Sequence, residues 1–199
     1  MAVFFLFLVL AAGSSVIIFR LKKKIASLDK TLRNISRKDP VTGVLNRQAF
    51  LEVMEVEKER CDRTHKIFSI IVADVDRLKD INTGFGTQAG DAVMAGSAAI
   101  FRKHLRVYDI LGRWSGDELI ILLPETNIAT AVACAEKLRK ILESEKFRFH
   151  ESEFSVTMSF GVGICGKTVP VRECIREADS QLLMAKQSGG NRVSPSTGL

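Results

Sequence analysis

No CxxC pair and no cysteine–histidine spacing of the zinc-binding kind occurs in the 199 residues of this chain. Cys61, Cys134, Cys165 and Cys174 are scattered, and His65, His104 and His150 stand alone. Neither a zinc centre nor a histidine-based nucleophile is expected. The cysteines read as small buried or half-buried hydrophobes of a reducing compartment. Internal repeats and low-complexity stretches are lacking as well. Hydrophobic residues make up 46% and charged residues 26%, which excludes a disordered or collagen-like chain. A domain of ~160 residues buries roughly two-thirds of its unfolded surface and needs no disulfide staples.

Charged side chains are missing altogether from residues 1–19, so the formal net charge of +6 is carried elsewhere, and it is local. Residues 20–38 hold Arg20, Lys22, Lys23, Lys24, Lys30, Arg33, Arg37 and Lys38 against Asp29 alone, whereas 39–199 hold 21 basic and 22 acidic residues. A nearly neutral folded part argues against a broad duplex-binding face, and no nucleic-acid partner is expected.

Residues 2–19 form an uninterrupted uncharged run that, as a helix, would span ~27 Å, close to the hydrocarbon thickness of a bilayer. The run stops at Arg20 and the Lys22-Lys23-Lys24 cluster, and basic residues stay on the cytoplasmic side. The expectation is a retained single-pass helix over 1–19 in a bacterial inner membrane, with the C-terminal bulk in the cytoplasm and no room for an external sensor domain. A cleaved signal peptide would carry its positive charge before the apolar run instead. In the basic linker helix expected over 20–38, Leu21, Ile25, Leu28, Leu32 and Ile35 recur every three or four residues. Such a seam suits a short parallel coiled coil, and the same helix could also lie on anionic headgroups.

From residue 39 onward the pattern alternates. Asp39-Pro40 ends the linker, and Asn46 can cap a helix running to about residue 63. Residues 68–74, FSIIVAD, read as a buried central strand. A short helical turn is expected near 77–81, then a Gly-rich loop, TGFGTQAG, then a helix over 91–106. Residues 108–114 and 118–124 read as a hairpin about Ser115-Gly116-Asp117. A helix over 128–142, a strand over 154–165 and a last helix stopped by Gly189-Gly190 complete the order. The fold class is α+β, a ferredoxin-like, palm-type βαββαβ sheet with helices on one face, occupying 39–199.

Chemistry can gather where strand 68–74 ends in Asp74-Val75-Asp76 and the hairpin tip carries Asp117-Glu118. In a βαββαβ sheet the first strand lies beside the hairpin, so these acids can converge. Clustered carboxylates need a cation, and hard oxygen ligands suit Mg²⁺ completed by phosphate oxygens. Taken singly, Asp76 could be a helix cap and Asp117 a turn residue. Lys79 lies where a phosphate would sit after the strand, Asn82 and Asp91 can read a base edge, and Lys186 supplies a second cation near the end of the last helix.

These residues carry a resemblance. DPVTGVLNRQAF, ADVDRLKDIN followed by FGTQAGD, RVYDILGRWSGDELIILLP, VTMSFGVGIC and ADSQLLMAKQSGGNRV resemble the ordered motifs of GGDEF domains, the diguanylate cyclases, with a degenerate SGDEL signature. The match runs from Asp39 to about Val193. It implies a nucleotidyl-cyclase palm in which two facing protomers condense two GTP into cyclic di-GMP, each ribose 3′-OH attacking the other's α-phosphate. On this resemblance Asp74, the Val75 carbonyl, Asp117 and Glu118 hold two Mg²⁺ ions, with Mn²⁺ an acceptable substitute. Lys79 and Lys186 bind phosphate, Asn82 and Asp91 bind guanine, and Arg106 with Asp109 forms an RxxD product-inhibition site. A homodimer follows, since one active site needs two protomers. Departures from the family pattern are Ser115, Leu119, Thr87, Thr83, Leu183 and, where an arginine is common, Gly190. These leave a second reading open: a weak or inactive domain that binds GTP or cyclic di-GMP and signals through a partner.

Overall fold

The computed structural model describes Arg20 and residues 37–196. The expected membrane helix, and all of the linker but Arg20, Arg37 and Lys38, lie outside the described residues. Among the described residues no helix is long and apolar enough to cross a membrane. Lys38–Leu199 form one compact unit.

The first helix, α1 (Arg47–Thr64), begins where Asn46 was expected to cap it: the Asn46 Oδ1 accepts from the Ala49 amide at 2.8 Å. Strand β1 (Phe68–Val75) follows, and all eight of its residues are buried. That burial fits its continuous apolar sequence, because a strand covered on both faces has no need to alternate. Helices α2 (Leu78–Phe85) and α3 (Thr87–His104) lead to the hairpin of β2 (Ile110–Arg113) and β3 (Glu118–Leu123). Helix α4 (Ile128–Ser144), the short strands β4 (Phe147–Phe149) and β5 (Ser152–Phe154), strand β6 (Met158–Cys165), helix α5 (Val171–Gln187) and strand β7 (Val193–Pro195) complete the chain.

The main sheet has the order β2-β3-β1-β6-β7. Strand β1 is antiparallel to β3 and β6, and β7 adds a parallel edge. The βαββαβ core is therefore present, but helices cover both faces rather than the one expected. Ile71, Ala73, Leu119 and Ile121 pack with Val93, Phe101, Ala135 and Leu138 from α3 and α4. Ile70, Val72, Ile120 and Leu122 pack with Phe50, Met54, Ala178 and Leu182 from α1 and α5.

Three further expectations need correction. The Gly-rich stretch is not a loop but the junction of α2 and α3, broken only at Gly86, whose φ of +85° ends one helix as the next begins. The strand expected from 154 starts at Met158, because residues 147–154 form a separate half-exposed hairpin too short to show a pattern. Cys165 and Cys174 are not free hydrophobes: they are joined as a disulfide between the end of β6 and the first turn of α5, while Cys61 and Cys134 are free.

Candidate active site

Residues alternate between the two faces of a strand. On β1 the even positions face α1 and α5, so Asp74 follows Ile70 and Val72 onto that side. Glu118 is the Cα partner of Asp74 across the β1–β3 ladder. The Val75 amide donates to the Asp117 carbonyl at 3.2 Å, which pins the hairpin tip to the end of β1. Three acids from two separate stretches thus reach one end of the sheet, as expected.

Asp74 is 4% exposed, and its Oδ1 is buried without a hydrogen-bond partner. Burial pushes its carboxyl up to about 6; the Lys186 ammonium opposes the rise, and the charges of Asp117 and Glu118 add to it. Lys186 from the last turn of α5 is in direct ion-pair contact with Asp74 Oδ2. This lysine, expected to meet phosphate, is in this structure the counter-ion of the acid. Among the described residues no three acidic, histidine or cysteine side chains close to metal-ligating distance. The orphaned Asp74 Oδ1, on a residue paired with Glu118 and within electrostatic reach of Asp117, nevertheless fits a divalent ion, whose hard charge such oxygens accept.

Asp117 belongs to the other face. It lines a cavity of about 380 Å³ together with Lys79, Asn82, Asp91, Gly116 and Arg113. Lys79 and Asn82 sit three residues apart on α2 and so share one side of it. The Asn82 Oδ1 is buried without a partner. It rests against α3 where Gly90 lacks a side chain, and a Cβ there would lie 2.1 Å from that oxygen. The Arg113 guanidinium holds the hairpin tip, donating to the Ser115 and Gly116 carbonyls at 3.2 and 2.7 Å and to Asp39 Oδ1 at 3.1 Å. It also stands 3.9 Å from Asp91. Asn82, Asp91, Lys79 and Asp117 therefore share a cavity, while Asp74, Glu118 and Lys186 gather on the opposite face of the sheet.

Arg106 and Asp109 lie at the opposite end of β2. Asp109 Oδ2 accepts from the Arg106 amide at 2.8 Å, closing a turn. Burial raises the Asp109 carboxyl above its ordinary range, opposed by the amide and the charge of Arg106. Both residues line a cavity of about 290 Å³ with Thr130, Cys134 and Lys137 of α4.

Sequence reasoning missed Arg113 and Asp179. Asp179 on α5 has a buried Oδ1 without a partner, and its carboxyl is pushed up to about 6 by burial and by Glu118, with Arg47 opposing. Its only sequence signal was its place in the last helix motif. Leu119, one of the departures from the family pattern, is fully buried in the core. Gly190 has a φ of +75° beside the Asp76 carboxylate, and Arg192 folds its Nε back to the Gly190 carbonyl at 3.2 Å.

A sequence model described as "Diguanylate cyclase, GGDEF domain" matches residues 36–192. The chain is 34% identical over 155 residues to diguanylate cyclase DgcP of Pseudomonas aeruginosa, covering 78% of this chain and 23% of that protein. It is 32% identical over 170 residues to diguanylate cyclase DgcM of Escherichia coli K12, covering 83% of this chain and 40% of that protein. It thus spans less than half the length of either relative. Among solved structures it superposes on the diguanylate cyclase SiaD of Pseudomonas aeruginosa, solved in complex with its activator SiaC. The TM-score is 0.79 at 32% identity, over 92% of this chain and 71% of that one.

Proposed function

This chain belongs to the GGDEF domain family, and from that premise we propose that it is a membrane-anchored diguanylate cyclase condensing two GTP into cyclic di-GMP across a homodimer. The observation that carries the reading is the pairing of Asp74 with Glu118 across β1 and β3, one residue from an Asp117 that faces the Lys79–Asn82–Asp91 cavity. Guanine enters that cavity, where the Asp91 carboxylate accepts from its ring N–H and amino group and Asn82 completes the edge. Lys79 meets the phosphates from the same side of α2.

Asp74, the Val75 carbonyl, Asp117 and Glu118 would hold divalent cations, two Mg²⁺ per site. Bound there, the ions supply acidification of the attacking 3′-OH and compensation of phosphate charge. Lys186 exchanges the Asp74 carboxylate for a phosphate oxygen when the triphosphate arrives, which frees Asp74 for its cation. Arg106 and Asp109 take the product's guanine and phosphate for feedback inhibition. The apolar run over 1–19 anchors the chain in the inner membrane with residues 39–199 in the cytoplasm. The seam in 20–38 aligns two copies and raises their effective concentration.

One observation favours a second reading, binding of GTP or cyclic di-GMP without turnover: the ammonium of Lys186 stands on the acid that the reaction needs. The full-length chain assayed with GTP and Mg²⁺ separates the two. Cyclic di-GMP formation that disappears in Glu118→Gln supports the cyclase. Ligand binding that is lost in Arg106→Ala, with no product from the unaltered chain, supports the receptor.

A further inference from the structure

Lys186 sits on the last turn of α5, and seven residues later the chain has entered β7. Between them run Gly189, Gly190 and Asn191, with φ values of +109°, +75° and +48°. A left-handed backbone is costly for most residues other than glycine and is held most firmly where the surroundings over-determine it. Two of the three are glycines, which adopt such angles freely, but Asn191 is not. Its position is fixed from two sides.

From the sheet side, Asp76 accepts the Asn191 amide at 2.9 Å through Oδ2. Asp76 is itself held by the hydroxyls of Thr157 at 2.7 Å and Ser159 at 2.6 Å, both from the approach to β6 and its start. From the helix side, Arg139 of α4 donates to Asn191 Oδ1 at 2.9 Å, and Asn191 Nδ2 donates to Glu143 Oε1 at 2.7 Å. Arg139 is only 14% exposed and is braced in turn by Glu136 at 2.9 Å and Glu143 at 3.0 Å. Every polar atom of the Asn191 side chain and its amide is thus engaged by groups that are themselves engaged. A half-buried network in which each member is satisfied is rigid and specifies one geometry. The backbone then returns to the helix, where the Gly189 and Gly190 amides donate to the carbonyls of Lys186 and Ala185 at 3.0 and 3.1 Å.

We propose that Asn191, clamped between Arg139 of α4 and Asp76 of the β1 end, is a positioning residue that fixes the end of α5 and hence the place at which Lys186 presents its ammonium to the nucleotide. The inference rests on the phosphate role given to Lys186 above. Lysine is a flexible point charge with no planar geometry to orient it, so the precision of its contact has to come from the backbone that carries it. The clamp touches no substrate, and none of its side chains lies in the base cavity or on Asp74.

The test uses Asn191→Gly, which keeps the left-handed backbone while removing the side-chain bonds, and Arg139→Gln, which removes the cation from the other side. GTP turnover by the full-length chain is measured with Mg²⁺, and binding of the αβ-methylene analogue of GTP is measured in parallel. Each variant is expected to raise KM for GTP and Kd for the analogue roughly fivefold or more, with kcat changed less than about threefold. The same substitutions placed in Lys186→Ala are expected to add almost nothing, since they act through that lysine. Unchanged KM and Kd, or full additivity with Lys186→Ala, overturns the proposal. An unaltered chain that binds the analogue without turning over GTP refutes the cyclase reading alone, and the binding arm still decides the clamp. A chain that binds no analogue refutes both.

Discussion

Replacing Asp74 by asparagine should make the protein more stable while abolishing its activity. The carboxyl is 4% exposed, and burial lifts it from an ordinary 3.8 to about 6, against the pull of Lys186 and with help from two neighbouring acids. Below about pH 4 the group is protonated in both folded and unfolded chains and costs nothing. Between about 4 and 6 the folded chain holds a proton that the unfolded chain has released, so stability falls as pH rises through that window and stays low above it. At 1.36 kcal/mol per pH unit the rise to about 6 corresponds to a loss of about 3 kcal/mol at neutral pH. Asparagine keeps the shape and removes the charge. In EDTA near pH 8, Asp74→Asn is therefore expected to gain about 1–3 kcal/mol, discounted for the lost pairing with Lys186 and for relaxation around the site. The gain should shrink to nothing as pH falls below about 4. Urea unfolding followed by the fluorescence of Trp114, the one tryptophan, reads this directly because that ring is 8% exposed beside the hairpin tip. A variant less stable than the parent near pH 8, or a gain that does not vary with pH, would refute the account of a carboxylate held in place against its own stability.

Gly90→Ala should raise KM for GTP by roughly 5- to 100-fold with the fold intact, because its Cβ would lie 2.1 Å from Asn82 Oδ1 and drive the base-reading amide out of place. Steady-state kinetics decide it, and an unchanged KM would remove Asn82 from the guanine site. Gly161→Ala should instead act on stability, since its Cβ would meet the Ala178 carbonyl oxygen at 2.0 Å and the Leu182 amide nitrogen at 2.3 Å, both backbone. A cost of about 3 kcal/mol should lower the thermal midpoint by about 6–12 °C, and a midpoint within a degree or two of the parent would show that α5 does not sit this close to β6. Reductant should lower the urea midpoint of the oxidised protein by an amount worth about 2–3 kcal/mol, the chain-entropy value for cysteines separated by nine positions. Identical curves with and without reductant would mean that the two sulfurs are not joined in solution.

The core of the fold was legible because the strongest signals were long and unambiguous. Phe68–Val75 is apolar without interruption, Asn46 caps in the manner its side chain allows, and three residues at the hairpin tip leave little choice of connection. What escaped was decided by tertiary contact. TGFGTQAG looks like a loop by composition, yet Gly90 is glycine because Asn82 packs against it and Gly86 because one residue must turn left between two helices. The disulfide could not be read from two cysteines nine residues apart, since nothing local says that a strand end and a helix start come within 5.4 Å. At the site, Asp74 pairs with Glu118 across the ladder, and Lys79, Asn82, Asp91 and Asp117 line one cavity. The groups around the site that sequence did not single out, Arg113 in the hairpin and Asn191 with Arg139 near the end of α5, occupy positions that a surface ion pair or a polar turn would explain equally well in sequence.

The two acids at the hairpin tip, one in the turn and one opening β3, have a consequence for how a nucleotide must lie. Asp117 faces the α2–α3 side with the base readers, and Glu118 faces the α1–α5 side with Asp74 and Lys186. No ligand confined to one face can touch both sets. A nucleoside triphosphate can, since its base fits the cavity while its phosphates pass over the exposed hairpin tip, where Gly116 has no side chain and nothing stands within 4 Å of where a Cβ would be. A free base or nucleoside would use the cavity alone and leave the Asp74–Lys186 pair undisturbed. With Mg²⁺ in place of EDTA, guanosine should therefore bind without changing the stability gain of Asp74→Asn, whereas GTP should reverse it. That difference ties the glycine of the signature, and the order of the two acids after it, to a substrate that carries phosphate.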